Sequence, residues 1–387
     1  MLPYYLAAFL MTSIACVDVS MRDVKNSAHI ALKVAIVLLV SLMAAMRANT
    51  IGTDLGVYGL YSYLAARHTS FLSFFNESIY ASWAPIFKAV TWICAQVFHD
   101  VVGYLFVLQL LTIAPVVWAC SKSCPRSYPI AIAIYMVLFL PISFNLMRQS
   151  IASAFLLLAY SFLQGGSRKG FLLFTIVAVG FHSAAVIGVL VYPLYLIGSD
   201  RLKIQISLKY VLAVIGILAC VGAVIVLCAP QLVRDLLGHY AAYFDASLIN
   251  RSGGRRATAE IFLSYVIMAV FLYRIHCQQK SLPVEKHLFE GNDAANACEI
   301  QRVKPIMLIV AVGVLLWGLS LISFWLYRIG LYFLFYILLS VPLSVESIAS
   351  PAAKRLFLGV FFVLLLLCSA DYFLIQNSHE VVPYVLR

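Results

Sequence analysis

The sequence predicts an all-α, polytopic integral membrane protein, and three observations carry that prediction. The 387-residue chain is 63% hydrophobic and 11% charged, with a mean hydropathy of +0.97, which leaves no room for a sizeable soluble domain. Apolar stretches approaching the ~20 residues that cross a bilayer as helix recur from end to end, and only helices or closed barrels can span hydrocarbon. Leu/Val/Ile/Ala runs such as 211–228 and 356–368 are continuous, without the in-and-out alternation of a barrel strand.

About twelve transmembrane helices are expected, at 3–18, 30–46, 101–119, 128–144, 149–164, 170–182, 183–198, 209–228, 258–276, 304–323, 326–344 and 354–374. The first stretch lacks a basic flank and a small-residue cleavage site, so it reads as a retained span and not a signal peptide. The segment 80–98 carries Pro85, Lys88 and Gln96 and is expected to be a re-entrant or interfacial helix. A full crossing there would put the downstream basic loops on the wrong side. Segments 170–182 and 183–198 are each short for a span, and both far ends are basic (Arg168 and Lys169; Arg201 and Lys203). A hairpin with Phe181-His182-Ser183 at its tip satisfies both constraints.

One face then collects the basic residues of the short loops, from Arg22 and Lys25 through Lys122 and Arg126 to Lys354 and Arg355. The positive-inside rule makes it cytoplasmic, with the loop 277–304 on that side. The formal net charge of +11 is explained by this anchoring, with anionic membrane lipid as the partner, and no nucleic acid is needed. The opposite face holds both termini and the outward-facing segments 47–100 and 229–257. Residues 1–387 are expected to form a single multi-span membrane domain. The nine cysteines are scattered, and Cys120 and Cys124 have no second pair or histidine beside them, which argues against a zinc site.

The polar groups suited to chemistry all fall on the non-basic face, where ionisable groups near a bilayer mark substrate paths. Arg47 and Gly52-Thr53-Asp54 follow a span directly. Thr53 and Asp54 are placed to cap a helix starting near Leu55, with Tyr58 and Tyr61 on one face, or to aim a carboxylate and a hydroxyl at a polar ligand. Arg148 with Gln149 opens the helix 149–164, where an arginine opposes the helix dipole; with the helix amides it suits an anion. His182 is either a structural histidine or a proton acceptor near neutral pH. Tyr243 lies in an aromatic loop followed by Arg251, Arg255 and Arg256, fit for sugar stacking and phosphate pairing or for plain solvation. Arg328 sits a turn inside the end of a span that also carries Tyr332, and a charge there needs a partner or an anionic ligand.

In this order the clusters resemble the EpsG family of polysaccharide polymerases, which are Wzy-type membrane proteins. The resemblance rests on Arg47, Gly52-Thr53-Asp54 and Tyr58; on Arg148-Gln149 and Ala152; and on Phe181-His182-Ser183-Ala184. It continues in His239-Tyr240, Tyr243-Phe244, the run Tyr327-Arg328-Ile329-Gly330-Leu331-Tyr332-Phe333, and Pro383-Tyr384. It implies a GT-C-like glycosyltransferase of the bacterial cytoplasmic (inner) membrane. Such an enzyme joins oligosaccharide repeat units carried on undecaprenyl pyrophosphate, working at the periplasmic face without a cofactor, with a flippase and a chain-length regulator as candidate partners.

The residues suit that task independently. Arginines at the membrane surface can stabilise a leaving pyrophosphate, which assigns Arg148 and Arg328 as its ligands and Arg47 as a third, with Thr53 and Gln149 beside them. Asp54 or His182 is the expected base, and Tyr58, Tyr243 and Tyr332 shape a sugar groove. The acidic residues near that face (Asp54, Glu77, Asp100, Asp235, Asp245 and Glu260) show no paired spacing, so metal independence is expected. A flippase for the same lipid would need polar residues through the depth of its spans and internal repeats. A membrane O-acyltransferase would place its histidine at the cytoplasmic side, where acyl-CoA is found.

Overall fold

The computed structural model describes residues 1–21, 26–77, 80, 83–199, 292–318, 324–348 and 350–387. The expected spans 209–228 and 258–276, the loop 229–257 with Tyr243, and the arginines at 251–256 lie outside them. Among the described residues there is no β-strand, and six helices are long and apolar enough to cross a membrane. The protein is a multi-pass membrane protein.

The chain forms two compact units, Met1–Val189 with Leu365–Arg387, and Leu190–Leu364. In the first, α1 (Leu2–Ser20) buries Tyr4, Ala8, Met11, Ala15 and Asp18, a stripe at alternating intervals of four and three that follows one helix face. Its other faces turn Leu2, Leu6, Phe9 and Leu10 outward, as lipid contact requires. α2 (Asn26–Ala45) does the same, burying Ile36, Val40 and Ala44. Two helices from the middle of the unit are buried more completely: α6 (Val101–Ser123) and α7 (Tyr128–Asn145). Pro141 cannot donate a backbone hydrogen bond within α7, and the π-helical turn Tyr135–Phe139 just before it absorbs the mismatch.

Between α2 and α6 the chain folds into three short helices, α3 (Leu60–His68), α4 (Phe71–Asn76) and α5 (Pro85–Val97). At 13 residues, α5 is about 20 Å long, well short of the ~30 Å hydrocarbon core. Its polar side chains tie it to its neighbours: Lys88 Nζ donates to the Phe75 carbonyl at 2.9 Å, and Gln96 Nε2 to the Ala66 carbonyl at 2.9 Å. These dimensions suit the interfacial helix expected at 80–98.

α8 (Met147–Gln164) and α9 (Arg168–Phe181) pack antiparallel, with Phe174 against Phe162 and Phe181 stacked on Phe155. After Phe181 the backbone extends at His182 and continues as a 3₁₀ helix, Ser183–Leu190. A straight continuation would carry Gly188 about 14 Å beyond Phe181, yet Gly188 rests on Leu156, next to Phe155. The chain therefore reverses after His182, as the hairpin reading requires.

The second unit contains α10 (Val191–Gly198), α11 (Asn292–Gly318), α12 (Phe324–Leu334) and α13 (Ile337–Glu346). α11 begins at Asn292, so the end of the expected loop 277–304 is helical. Gly313 and Gly330 bring α11 and α12 together: a Cβ on Gly330 would lie 3.1 Å from the Gly313 carbonyl oxygen. Small residues let membrane helices approach this closely. The last helix, α14 (Pro351–Ala370), is prolonged by a π turn to Ile375.

One charged cluster escaped the one-face expectation. Asp18, 3% exposed, pairs with His29 Nδ1 at 2.6 Å and with Lys33 Nζ at 3.6 Å, and accepts the Tyr128 hydroxyl. It lies 14 residues along α1 from Tyr4, about 21 Å away, at the other end of the first unit from Arg47. Asp18→Ala is expected to lower stability by about 2 kcal/mol, because the buried Tyr128 hydroxyl loses its charged acceptor while His29 and Lys33 keep access to solvent. Thermal unfolding of the purified protein checks this.

Candidate active site

The first unit gathers a polar and aromatic constellation from four separate stretches of chain. α8 begins at Met147, so Arg148 stands in its first turn, as expected. Its guanidinium carbon lies 4.7 Å from the ring centre of Tyr58, 4.7 Å from Trp83 and 5.9 Å from Phe87. Trp83 also meets Tyr58 edge-on at 5.3 Å and Tyr80 at 4.7 Å. Arginine favours aromatic faces because its planar, weakly hydrated cation stacks on the ring quadrupole. The cage leaves Arg148 half-buried, and its Nε finds no hydrogen-bond partner among the described residues.

Asp54 and Tyr58 complete the group. Tyr58 donates its hydroxyl to Asp54 Oδ2 at 2.5 Å, one helical turn back along a π-helical segment, Leu55–Gly59. Burial, and then the negative charge of Asp54, push the Tyr58 phenol well above its ordinary range, with Arg148 opposing. The phenol therefore stays protonated and serves as a donor. The expected helix cap is not made: neither Asp54 nor Thr53 caps Leu55 through its side chain, because the Asp54 carboxylate is turned to Tyr58, and Thr53 is exposed. Nor do Tyr58 and Tyr61 share surroundings, since Tyr61 is 63% exposed.

The Asp54 backbone is held from behind. Its N–H donates to Asn145 Oδ1 at 2.9 Å, and Asn145 Nδ2 meets His379 Nδ1 at 2.7 Å. Because Oδ1 accepts, Nδ2 donates, so His379 Nδ1 accepts and Nε2 carries the proton toward the Tyr372 oxygen at 3.0 Å. Residues 377–387 form a strap along the first loop. Gly52 N–H donates to the Glu380 carbonyl at 3.1 Å, Ala48 N–H to Val385 at 2.8 Å, and Arg387 N–H to Met46 at 2.9 Å. Gly52 itself, at φ +87°, presses on the end of α7, where a Cβ would come within 2.4 Å of the Phe144 carbonyl oxygen.

The other expected site residues fall elsewhere. Arg47 is 2% exposed, with Nη1 donating to the Ala44 carbonyl at 2.7 Å and its guanidinium 4.4 Å from the Phe144 ring. No surface-bound pyrophosphate reaches it in this conformation. Gln149 is buried. His182 is half-buried, two residues after Gly180, which packs on Ile86 beside the Phe87 of the cage. Arg328 and Tyr332 belong to α12 of the second unit; Arg328 is half-buried and Tyr332 is 2% exposed.

Sequence reasoning missed Trp83, Phe87, Asn145 and His379. The spacing of Trp83 and Phe87, four apart across Pro85, was the available signal: it puts both rings on one side of a helix start. Nothing local marks His379, whose partner Asn145 is 234 positions away.

No curated protein and no solved structure matches the chain. The EpsG family, which is associated with Wzy-type polysaccharide polymerases, matches residues 30–386. That match runs from near the start of α2 to the final strap, and by it the chain belongs to the EpsG family.

Proposed function

We propose that this protein joins polyprenyl-pyrophosphate-linked oligosaccharide repeat units by glycosyl transfer at the outer face of the cytoplasmic membrane. The observation that carries the reading is the Asp54–Tyr58–Arg148 group, a carboxylate and a caged cation bridged by one phenol. An acceptor hydroxyl attacks the anomeric carbon of the donor and the bond to the lipid pyrophosphate breaks. The developing charge on the leaving group needs a cation, which Arg148 supplies, with Arg328 as the second candidate. The hydroxyl proton needs a base. Asp54 is the better placed of the two candidates, because Tyr58 orients its carboxylate next to the cation. Trp83, half-buried, offers an apolar surface against which a sugar ring can lie.

The test uses purified protein with lipid-linked repeat unit, followed by gel separation of the products. The expected result is a ladder of longer lipid-linked chains. Asp54→Asn should lower its rate by about 10²- to 10⁴-fold, the usual worth of general base catalysis, and by more than His182→Ala does. A fully active Asp54→Asn would remove Asp54 as the base. In cells, a deletion should abolish long polymer while lipid capped with a single repeat persists. Loss of all surface sugar would point instead to a flippase.

A further inference from the structure

Arg47 poses a separate electrostatic problem. It is 2% exposed, its Nε has no hydrogen-bond partner among the described residues, and Nη2 meets only the Met147 sulfur, at 3.9 Å. Among the described residues, the charged or titratable groups acting on it are the phenols of Tyr4, Tyr384 and Tyr104 and the cation of Arg387, with no carboxylate among them. Burial, the largest influence, brings its pKa down to about 10, so it keeps its charge at neutral pH. A buried cation without a counter-charge costs several kcal/mol, and a neutral water would satisfy Nε while leaving that charge unbalanced.

Beside Arg47 lies a small cavity of about 10 Å³, lined by Arg47, Gln109, Thr112 and Ser143 together with Leu105, Leu108 and Met147. That is the room of roughly one water, far too little for pyrophosphate. Its polar lining is itself buried: Gln109 is 4% exposed, Thr112 2% and Ser143 4%. Gln109 gives one amide hydrogen to Tyr135 at 2.7 Å and accepts from Ser143 at 3.1 Å, which leaves its second amide hydrogen as a donor. Met147 is flexible enough to adjust to a slightly larger sphere.

We propose that this cavity is a binding site for a monatomic halide, chloride under ordinary salt, which serves as the counter-ion of Arg47. The site is distinct from the pyrophosphate position at Arg148, and the inference does not depend on the polymerase reading.

The experiment measures thermal unfolding of the purified full-length protein as chloride replaces gluconate at constant ionic strength. It is paired with bromide-soaked crystals of the wild-type protein read by anomalous scattering. The expected result is a saturable rise in Tm of about 3 °C or more and a bromide peak within contact of the Arg47 guanidinium. Arg47→Gln should abolish the chloride dependence. If that variant does not fold, Gln109→Leu should weaken the dependence, and the wild-type bromide map decides the question alone. Equal Tm in chloride and gluconate with no bromide peak would overturn the proposal in favour of a water. Chloride dependence that persists in Arg47→Gln would place the ion elsewhere. Stabilisation by millimolar inorganic pyrophosphate and not by chloride would return Arg47 to the substrate.

Discussion

Arg148→Ala is expected to abolish polymer while the protein remains in the membrane at wild-type level. Removing one preorganised donor from a developing anion commonly costs 10²- to 10³-fold in rate, and a guanidinium supplies several such donors at once. The loss should therefore reach about 10³-fold or more in the ladder assay. Arg148→Lys should recover little. An ammonium is a compact, strongly hydrated point charge, poorly suited to the aromatic surroundings that hold the guanidinium 4.7 Å from the ring centres of both Tyr58 and Trp83. A structural account of the cage predicts the opposite pattern: lower protein level in Arg148→Ala and wild-type chain length in whatever survives. Wild-type chain lengths at normal protein level would end the assignment of Arg148 as a ligand.

Gly52→Ala is expected to be nearly as damaging, by a different route. At φ +87° an alanine is strained, and its Cβ would stand 2.4 Å from the Phe144 carbonyl oxygen. Backbone strain and overpacking together should cost about 3 kcal/mol or more. Any protein that folds must move the loop away from α7, and Asp54 is only two residues further on. A displacement of ~1 Å at a reacting group can cost 10²-fold. Gly56→Ala is the matched control, because a Cβ there meets nothing within 4 Å. Thermal unfolding and the ladder assay should separate the two sharply; a Gly52→Ala protein that behaves like Gly56→Ala would sink the argument.

Where the sequence was legible, the cause was periodic or local. The first span was expected at 3–18 and is found at Leu2–Ser20, since apolar composition alone bounds a membrane helix. The hairpin at His182 followed from two short segments with basic ends. Arg148 was placed correctly because a cation at a helix start is a local anomaly. Asp54 shows the limit. Its position before a helix invites a capping role, but the competing hydrogen bond from Tyr58 wins. Trp83 reaches Arg148 across the fold, and no periodic pattern encodes a contact between those two stretches. The Asp18 cluster was missed for a related reason: it joins three helices, and no local pattern marks a contact between Asp18 and Tyr128, 110 positions apart.

The strap of residues 377–387 has a consequence for the order in which the protein is made. Tyr384 donates to the Met43 carbonyl across 341 positions, and a short backbone bridge pairs Arg47 with Leu386. Chains emerge N-terminus first at ~5–20 residues per second, so the loop behind Asp54 waits roughly 20 to 70 s for the residues that hold it. During that interval the backbone N–H groups of Ala48 and Gly52 lack the carbonyls that later accept from them. A chain cut after Gln376 would keep all six described membrane-length helices and still lack the residues that fasten its first loop.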